Sequence, residues 1–537
     1  MVRALHGEYV RLNNELKKDP GNKGSKLLLS EQEIIVRTLD DEQEVATGKA
    51  AVYSNAMRHK IMAYKRMAAA QWKEERTKAV AEATQPAVKK PDPSEPIVTG
   101  LTVAQEVEYV RGLASPLTDL QRYGYITTIP TEDEIRSATD AAESSGNTEI
   151  CDRCTRRFQV FPGRREEDGA LASNGSCTHH PGKAYYPDRP PGDRSQGRRR
   201  YRCCQQDVGD GQGAEETGAG AAGCTTTATH VFKTTDPKRL AGVLNFAATP
   251  PNPAVPADRA VSFDCEMGYT VRGLELIRLT AVTWPDGADL IDVLVRPVGE
   301  ILDLNTRYSG VRPEDMVKAE LLGPGEDPRP AFAPAPATNG DADPTNPPPA
   351  PRRILKLVPS PRAARDLLFS VIAPTTPLIG HGTENDLNAV RVVHPTVVDT
   401  ALLYPHRRGL PARNGLKQLT ETHLGRRIQL DHPTAPKSGD DDPSKPPEPL
   451  GHDSAEDARA AGELVRLRVR DEWRRRRLEG WTVAGADDGS GRVVFRAPGA
   501  DGAGDGGAWT VVGAKRKKGH AGSGPAHSND GGNDVPN

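Results

Sequence analysis

The sequence is poor in the residues that build a large core. Only 36% of its 537 residues are hydrophobic and 5% are aromatic, whereas 52 are Gly and 46 are Pro. That balance cannot support one continuous globule; it predicts two or three compact units joined by disordered segments. No run of about 18 apolar residues occurs, which excludes a membrane-spanning helix. Met1–Lys18 lacks the apolar centre of a secretory signal, so an intracellular protein, in the nucleus, the cytoplasm or both, is expected. The formal net charge is −2, so affinity for a nucleic acid must come from local basic patches. Cysteine is scarce too. In an intracellular setting the seven present are expected as metal ligands or plain thiols, not disulfides.

What stands out against this background is Val261-Ser262-Phe263-Asp264-Cys265-Glu266-Met267, a short apolar strand carrying two acids. Side chains two apart on a strand share a face, so Asp264 and Glu266 project together, roughly 7 Å apart. Two carboxylates on one face of a core strand repel and are costly to desolvate unless a divalent cation sits between them. An edge strand with solvated acids is the alternative. Two later stretches bear on the choice. Gly380-His381-Gly382-Thr383-Glu384-Asn385-Asp386 closes a strand at Pro377-Leu378-Ile379 and opens a helix. His452-Asp453-Ser454-Ala455-Glu456-Asp457-Ala458-Arg459 opens another, with His452 and Asp457 at its start and second turn.

Asp-x-Glu, a distal Asp and His-x4-Asp, in that order and in strand and helix contexts, resemble the three motifs of the DEDDh 3′-5′ exonucleases. The fuller strings, with Val398–Tyr404 and Gly415–Leu419, are similar to the eukaryotic RNA exonuclease branch, and the resemblance covers residues 258–478. It implies a ribonuclease H-like fold. The strands expected at Leu274–Thr283 and Ala288–Val295 form a meander with the first, followed by alternating helices and strands, which suits a mixed sheet flanked by helices. It also implies that Asp264, Glu266, Asp386 and Asp457 hold two Mg²⁺ or Mn²⁺ ions and that His452 is the general base. The expected product is a nucleoside 5′-monophosphate taken from an RNA 3′ end. By the same resemblance Asp399 supports the site from behind, and Met267, Arg307 and Ser309 belong to a substrate-binding loop or cleft wall. Cys265 is expected to be core packing and His381 a structural residue of its turn; His394, His406 and His423 have no partner that the sequence names.

Every other cysteine falls between residues 150 and 232. Cys151-x2-Cys154, Cys177-x2-His180, Cys203-Cys204, Cys224 and His230 supply eight ligands, enough for two closed tetrahedral zinc sites. The strings Cys-x2-His-Pro-Gly and Gly-Cys-Thr-Thr resemble the CHORD zinc module, with a departure in the closely spaced Cys151 and Cys154. The pairing of ligands stays open, and His179 is the residue most easily mistaken for one. Arg153, Arg156, Arg157, Arg164, Arg165, Arg194, Arg198, Arg199, Arg200 and Arg202, with Tyr185, Tyr186 and Tyr201, make the stretch either an RNA-binding or partner-docking surface or a solvated charged loop. If it only docks substrate or partner, stripping its zinc spares hydrolysis of a short oligonucleotide.

The remaining parts are a helical N-terminal region over 1–145, an exonuclease unit over 258–480 with disordered insertions at 323–353 and 433–450, and a disordered tail over 482–537 with a basic run at Lys515–Lys518. Within the N-terminal region, Tyr53, Met57, Ile61, Tyr64, Ala68 and Trp72 read as one buried helix stripe. Ser30, Thr102 and Thr131 each open a candidate capping box. Arg474–Arg477 is a candidate phosphate contact. The leading expectation is an exoribonuclease that trims the 3′ ends of noncoding RNA precursors. A DNA exonuclease, or an adaptor whose zinc module docks a partner while the nuclease unit only binds RNA, are the alternatives.

Overall fold

The eleven-residue strand Ala260–Thr270 (β1) lies at the centre of a seven-stranded mixed sheet. The computed structural model describes residues 1–19, 27–48, 53–84, 96–186, 198–208, 223–333, 353–409, 411–429, 452–485 and 493–498. The other strands of the sheet are Gly273–Trp284 (β2), Asp289–Val295 (β3), Ile301–Asp303 (β4), Lys356–Val358 (β5), Leu378–Gly380 (β6) and Val397–Asp399 (β7). They lie in the order β5-β3-β2-β1-β6-β7, with β4 on the end of β1. β2 runs antiparallel to β1 and β3, whereas β6 and β7 run parallel to β1. A three-strand meander extended by parallel strands beside its first member is the ribonuclease H-like order.

Alternation along β1 sorts its side chains. Val261, Phe263 and Cys265 enter the main core with Leu279, Leu368 and Leu387. Ser262 faces the last helix, Ser454–Leu478, and donates to the carbonyl of Ala458 at 2.6 Å. Alanines at 455, 458 and 461 and Gly462 keep that helix close to the sheet. β6 pairs only with Val261 and Ser262 of β1, and β4 only with Tyr269 and Thr270, so between Phe263 and Gly268 the edge of β1 is open on that side. A cleft starts there. Gly380 closes β6 because a Cβ would lie 2.2 Å from Thr383 Cγ2 and 3.0 Å from the Phe263 carbonyl.

Four helices, Val2–Lys17, Glu31–Gly48, Tyr53–Arg66 and Ala69–Thr84, bury Leu5, Tyr9, Leu12, Met57 and Trp72 in a separate core. The expected single stripe from Tyr53 to Trp72 breaks between these last two helices, where Gln71 Oε1 accepts from the Ala68 N–H at 3.0 Å. Tyr64 and Trp72 still meet, ring edge to face at 6.2 Å, because the chain folds back and keeps both apolar faces inward. All three capping boxes form, at Ser30, Thr102 and Thr131.

Three expected boundaries change. The helix Val103–Arg111, counted with the N-terminal region, packs Val107, Tyr109 and Val110 on Val465, Val469 and Trp473 of the last helix. The tail expected to be disordered from 482 contains the hairpin Thr482–Gly485/Val493–Arg496, and its Phe495 stacks edge-on against Tyr109 and Trp473 at 5.2 and 5.3 Å. Burying that aromatic group offsets the Gly- and Asp-rich composition around it. The helix expected over Asp386–Val393 spans Glu384–Val390 and gives way to the strand Val392–Val393. The insertion at 433–450, most of that at 323–353, Arg194 and Lys515–Lys518 fall outside the described residues. Arg474–Arg477 sit about 27 Å down the last helix from Asp457, at ~1.5 Å rise per residue, and so do not line the cleft.

Candidate active site

The open edge of β1 leaves the Cys265 N–H without a strand partner, and Asp386 supplies one at 3.1 Å. That bond draws the start of the helix Glu384–Val390 over the strand, beside Asp264 and Glu266. A register shift between Glu266 and Met267 turns the strand immediately after the second acid, as bulges beside functional sites do. Asp457 enters from the first turns of the last helix, whose Ser454 hydroxyl donates to the Asp264 carbonyl at 3.1 Å. Glu266, Asp386 and Asp457 are buried and Asp264 partly so.

Burial pushes all four carboxyl groups up, and Asp264 adds its charge to the rise in each of the other three. Asp264 reaches about 7 and Asp457 about 8. Among the described residues, Arg278, opposite Glu266 on β2, is the cation that eases Asp264 and Glu266, and its guanidinium is held by Asp292 at 2.9 and 3.0 Å. Asp457 Oδ1 is buried without a hydrogen-bond partner among the described residues, while Oδ2 accepts from Gln429 Nε2 at 2.6 Å. Three buried carboxylates that each feel the charge of Asp264, and an orphaned buried oxygen, make a hard-oxygen donor set short of positive charge, whose chemistry fits divalent cations of the Mg²⁺ or Mn²⁺ kind.

His452 lies 3.6 Å from Asp457 through Nδ1. Its own N–H donates to the Tyr308 carbonyl at 2.9 Å, and the two rings stand edge to face. Asp453, the next residue, caps the last helix and accepts from Arg278 Nη2 at 3.1 Å. Asp399 stands behind the cleft: Oδ1 accepts from the Gly382 and Ala401 N–H groups at 2.8 Å, and Oδ2 from the Tyr125 hydroxyl at 2.7 Å. Arg307 is exposed, with its guanidinium 5.9 Å from the Tyr308 ring, and Met267 packs partly buried on the main core. Ser309 departs from expectation. It is buried, its hydroxyl donating to the Leu304 carbonyl and accepting from Val311, so it shapes the loop from within and does not offer its hydroxyl to substrate.

Cys265 is buried in the core. Four histidines set aside in the sequence have structural partners: His381 with Thr400, His394 with Thr249 and Thr376, His406 with the Arg408 N–H, and His423 against Tyr404. Sequence reasoning missed Arg278, Gln429 and Tyr125. A buried-strand arginine, in a mostly apolar run that also holds Glu275, was a usable signal for the first; the others carry none locally.

The eight Cys and His ligands separate into two sets, Cys151, Cys154, Cys177 and His230, and His180, Cys203, Cys204 and Cys224, each with all ligand atoms within 4.8 Å of one another. In the first, Sγ of Cys151 and Cys177 are 3.8 Å apart and Cys154 Sγ is 3.2 Å from His230 Nδ1. In the second, Sγ of Cys203 and Cys224 are 3.4 Å apart and Cys204 Sγ is 3.4 Å from His180 Nδ1. A tetrahedron with zinc–sulfur bonds of about 2.3 Å has edges of about 3.8 Å, so both sets fit zinc. His179 lies 3.9 Å from Cys177 Sγ yet belongs to neither set. No described cysteine is disulfide-bonded. A Cβ on Gly182 would come within 2.4 Å of the Cys203 N–H nitrogen, so glycine there lets the two ligand loops of the second set close on each other.

Comparison with known proteins adds an independent line. Residues 1–85 match the family model described as RNA exonuclease 3 N-terminal domain. The chain is 42% identical over 492 residues to RNA exonuclease 3 of Emericella nidulans, covering 90% of this chain and 70% of that protein. It is 30% identical over 368 residues to RNA exonuclease 3 of Eremothecium gossypii, covering 68% of this chain and 73% of that protein. Among solved structures, the Pan2 catalytic unit of Neurospora crassa, a protease and nuclease domain, aligns at 18% identity and a TM-score of 0.28 over 45% of this chain and 32% of that one.

Proposed function

The chain belongs to the RNA exonuclease 3 family, and from that premise we propose that it is a 3′-5′ exoribonuclease of the DEDDh type, trimming the 3′ ends of noncoding RNA precursors. The observation that carries the reading is the convergence of Asp264, Glu266, Asp386 and Asp457, all pushed toward the protonated form, beside His452. Divalent cations held there would supply charge neutralisation on the scissile phosphate and a lowered pKa for water. Asp264, which repels each of the other three, would hold the ions together with Glu266, Asp386 and Asp457. His452 takes the proton of the attacking water. Asp457 near Nδ1 and the Tyr308 carbonyl on the main chain hold the imidazole at the rim of the cleft. Tyr308, 44% exposed beside His452, offers a face on which the terminal base can stack.

The two Cys/His sets hold about two zinc ions in a CHORD-like module. Beside the second set, Arg202 lies 4.8 Å over Tyr185, and Tyr186 is exposed, a pairing of cation and ring that suits a single strand of RNA. This surface captures longer RNA or the partner that delivers it.

The test is hydrolysis of a 5′-labelled oligoribonucleotide in Mg²⁺, with its 2′-deoxy counterpart beside it. A ladder shortening from the 3′ end, release of nucleoside 5′-monophosphates, preference for the ribo-oligonucleotide and loss of activity in Asp264→Ala are expected. His452→Ala should lower kcat far more than RNA affinity, because the base acts in the transition state. Undiminished turnover by Asp264→Ala would refute the assignment, and equal rates on both sugars would favour a nuclease without RNA preference.

A further inference from the structure

The two central residues of the Cys151-x2-Cys154 turn both reach out of the Cys/His module and grip the nuclease sheet. Asp152 accepts from the Tyr269 hydroxyl at 2.8 Å. Arg153 donates to Asp303 Oδ2 at 2.7 Å, with its guanidinium 5.3 Å over the Tyr269 ring. The turn itself is fastened at both ends by ligands of the first set, and the Asp152 N–H donates to the Val231 carbonyl, next to His230. Beneath it Cys151, Phe158, Cys177 and Phe232 pack with Val271 and Leu302, so the first set shares its apolar cluster with the end of the sheet. The second set is more exposed, with Cys204 half-buried and Cys224 on the surface.

Asp303 divides its carboxylate. Oδ2 takes Arg153, and Oδ1 accepts from the Asn305 N–H at 2.7 Å. Asn305 stands at φ 56°, a left-handed conformation that starts the turn Thr306–Ser309. Tyr308 on that turn offers its carbonyl to the His452 N–H. A continuous path of short polar contacts therefore runs from the first metal set through Arg153, Asp303, Asn305 and Tyr308 to His452.

We propose that the first Cys/His site is a brace for the catalytic cleft: the ion it holds fixes Asp152 and Arg153, and these position the 303–309 loop and His452. The proposal rests on the nuclease reading for its effect on turnover. It assigns the two sets separate work, the first on catalysis and the second on capture of RNA, and reverses the expectation that zinc loss spares a short substrate.

The experiment uses the full chain with Asp303→Asn, Arg153→Met and the double variant. Asp303→Asn keeps an oxygen for Asn305 but loses the charge that holds Arg153, and it alters no residue of the module. Each single variant should lower kcat on a short oligoribonucleotide roughly tenfold, as small misplacements of reacting groups do, with a smaller change in KM. The double variant should be no worse than either single one. Hydrogen exchange should quicken over 303–309. By reciprocity, zinc should be held less tightly by Asp303→Asn in competition with a chromophoric chelator. Wild-type kcat, exchange and zinc affinity in Asp303→Asn would overturn the brace, as would fully additive effects in the double variant. Should the wild-type chain fail to degrade RNA, the nuclease reading falls, yet exchange and zinc affinity still decide the brace.

Discussion

Arg278 joins Asp292, a buried acid on β3, to Asp453, the residue that follows His452. Its guanidinium needs both arms for this, Nε and Nη2 to Asp292 and Nη2 again to Asp453. Its charge also eases Asp264 and Glu266. One side chain thus balances the acidic cluster and fixes the N-cap of the helix that carries Asp457.

Arg278→Lys is expected to keep the charge and lose the fork, because an ammonium cannot satisfy two acids in a planar bidentate geometry. Asp292 retains Thr280 and Arg353, so the fold should survive with a loss of about 1–3 kcal/mol. Turnover on a short oligoribonucleotide should fall by about tenfold or more as the N-cap and His452 drift. Chemical denaturation and steady-state hydrolysis on the same preparation decide this; wild-type turnover would mean that Arg278 serves the sheet alone.

The acidic cluster should make the metal-free protein sensitive to alkali. Asp264 and Asp457 have folded values of about 7 and about 8, above the ordinary aspartate value of 3.8. A raised carboxyl favours the protonated folded form, so its contribution is intact below about pH 4 and is lost as pH rises through about 7 to 8. Mg²⁺ removes the penalty by neutralising the ionised acids. The rise in Tm on adding Mg²⁺ should accordingly be larger at pH 8 than at pH 5. Asp386→Asn, which keeps an acceptor for Cys265, should stabilise the metal-free chain and remove nearly all turnover. A Mg²⁺ shift that is larger at pH 5 than at pH 8 would contradict the arrangement.

Much of the site could be seen in the sequence because strand and helix periods are local. Asp264 and Glu266 share a face by alternation, and His452 and Asp457 flank one helix start. The pairing of zinc ligands was not legible, since it depends on two hairpins, Cys177–His179 with Thr225–Thr227 and Ala184–Tyr185 with Arg200–Tyr201, that bring distant ligands together. Helical spacing also carried the Tyr53–Trp72 stripe across a real break, because both helices turn the same kind of face to one core. Thr482-Val483 and Val493-Val494-Phe495 are short strand-forming runs, too brief to mark a hairpin inside a Gly-rich tail. Long-range polar contacts such as Gln429 with Asp457 left no pattern at all.

Tyr125 is the clearest such case, since it lies far upstream of every nuclease motif yet ends against the site. The stretch from Thr99 to Ile126 follows the nuclease body, and at its end the buried Tyr125 hydroxyl meets Asp399 at 2.7 Å and Thr383 Oγ1 at 2.6 Å. Thr383 precedes the helix that carries Asp386, and Asp399 holds the Gly382 N–H, so Tyr125 locks the turn from which Asp386 is aimed. Tyr125→Phe removes one donor and leaves the packing. The expected loss of stability is about 1–2 kcal/mol, the cost of a buried carboxylate missing one partner. Turnover should fall further than that loss explains, with a higher Mg²⁺ concentration needed for half-maximal rate, because Asp386 is less well aimed. RNA affinity measured in Ca²⁺ should change little. Mg²⁺ titration of hydrolysis, set against the denaturation midpoint of the same protein, separates the two effects. An unchanged Mg²⁺ requirement alongside lowered stability would reduce Tyr125 to packing.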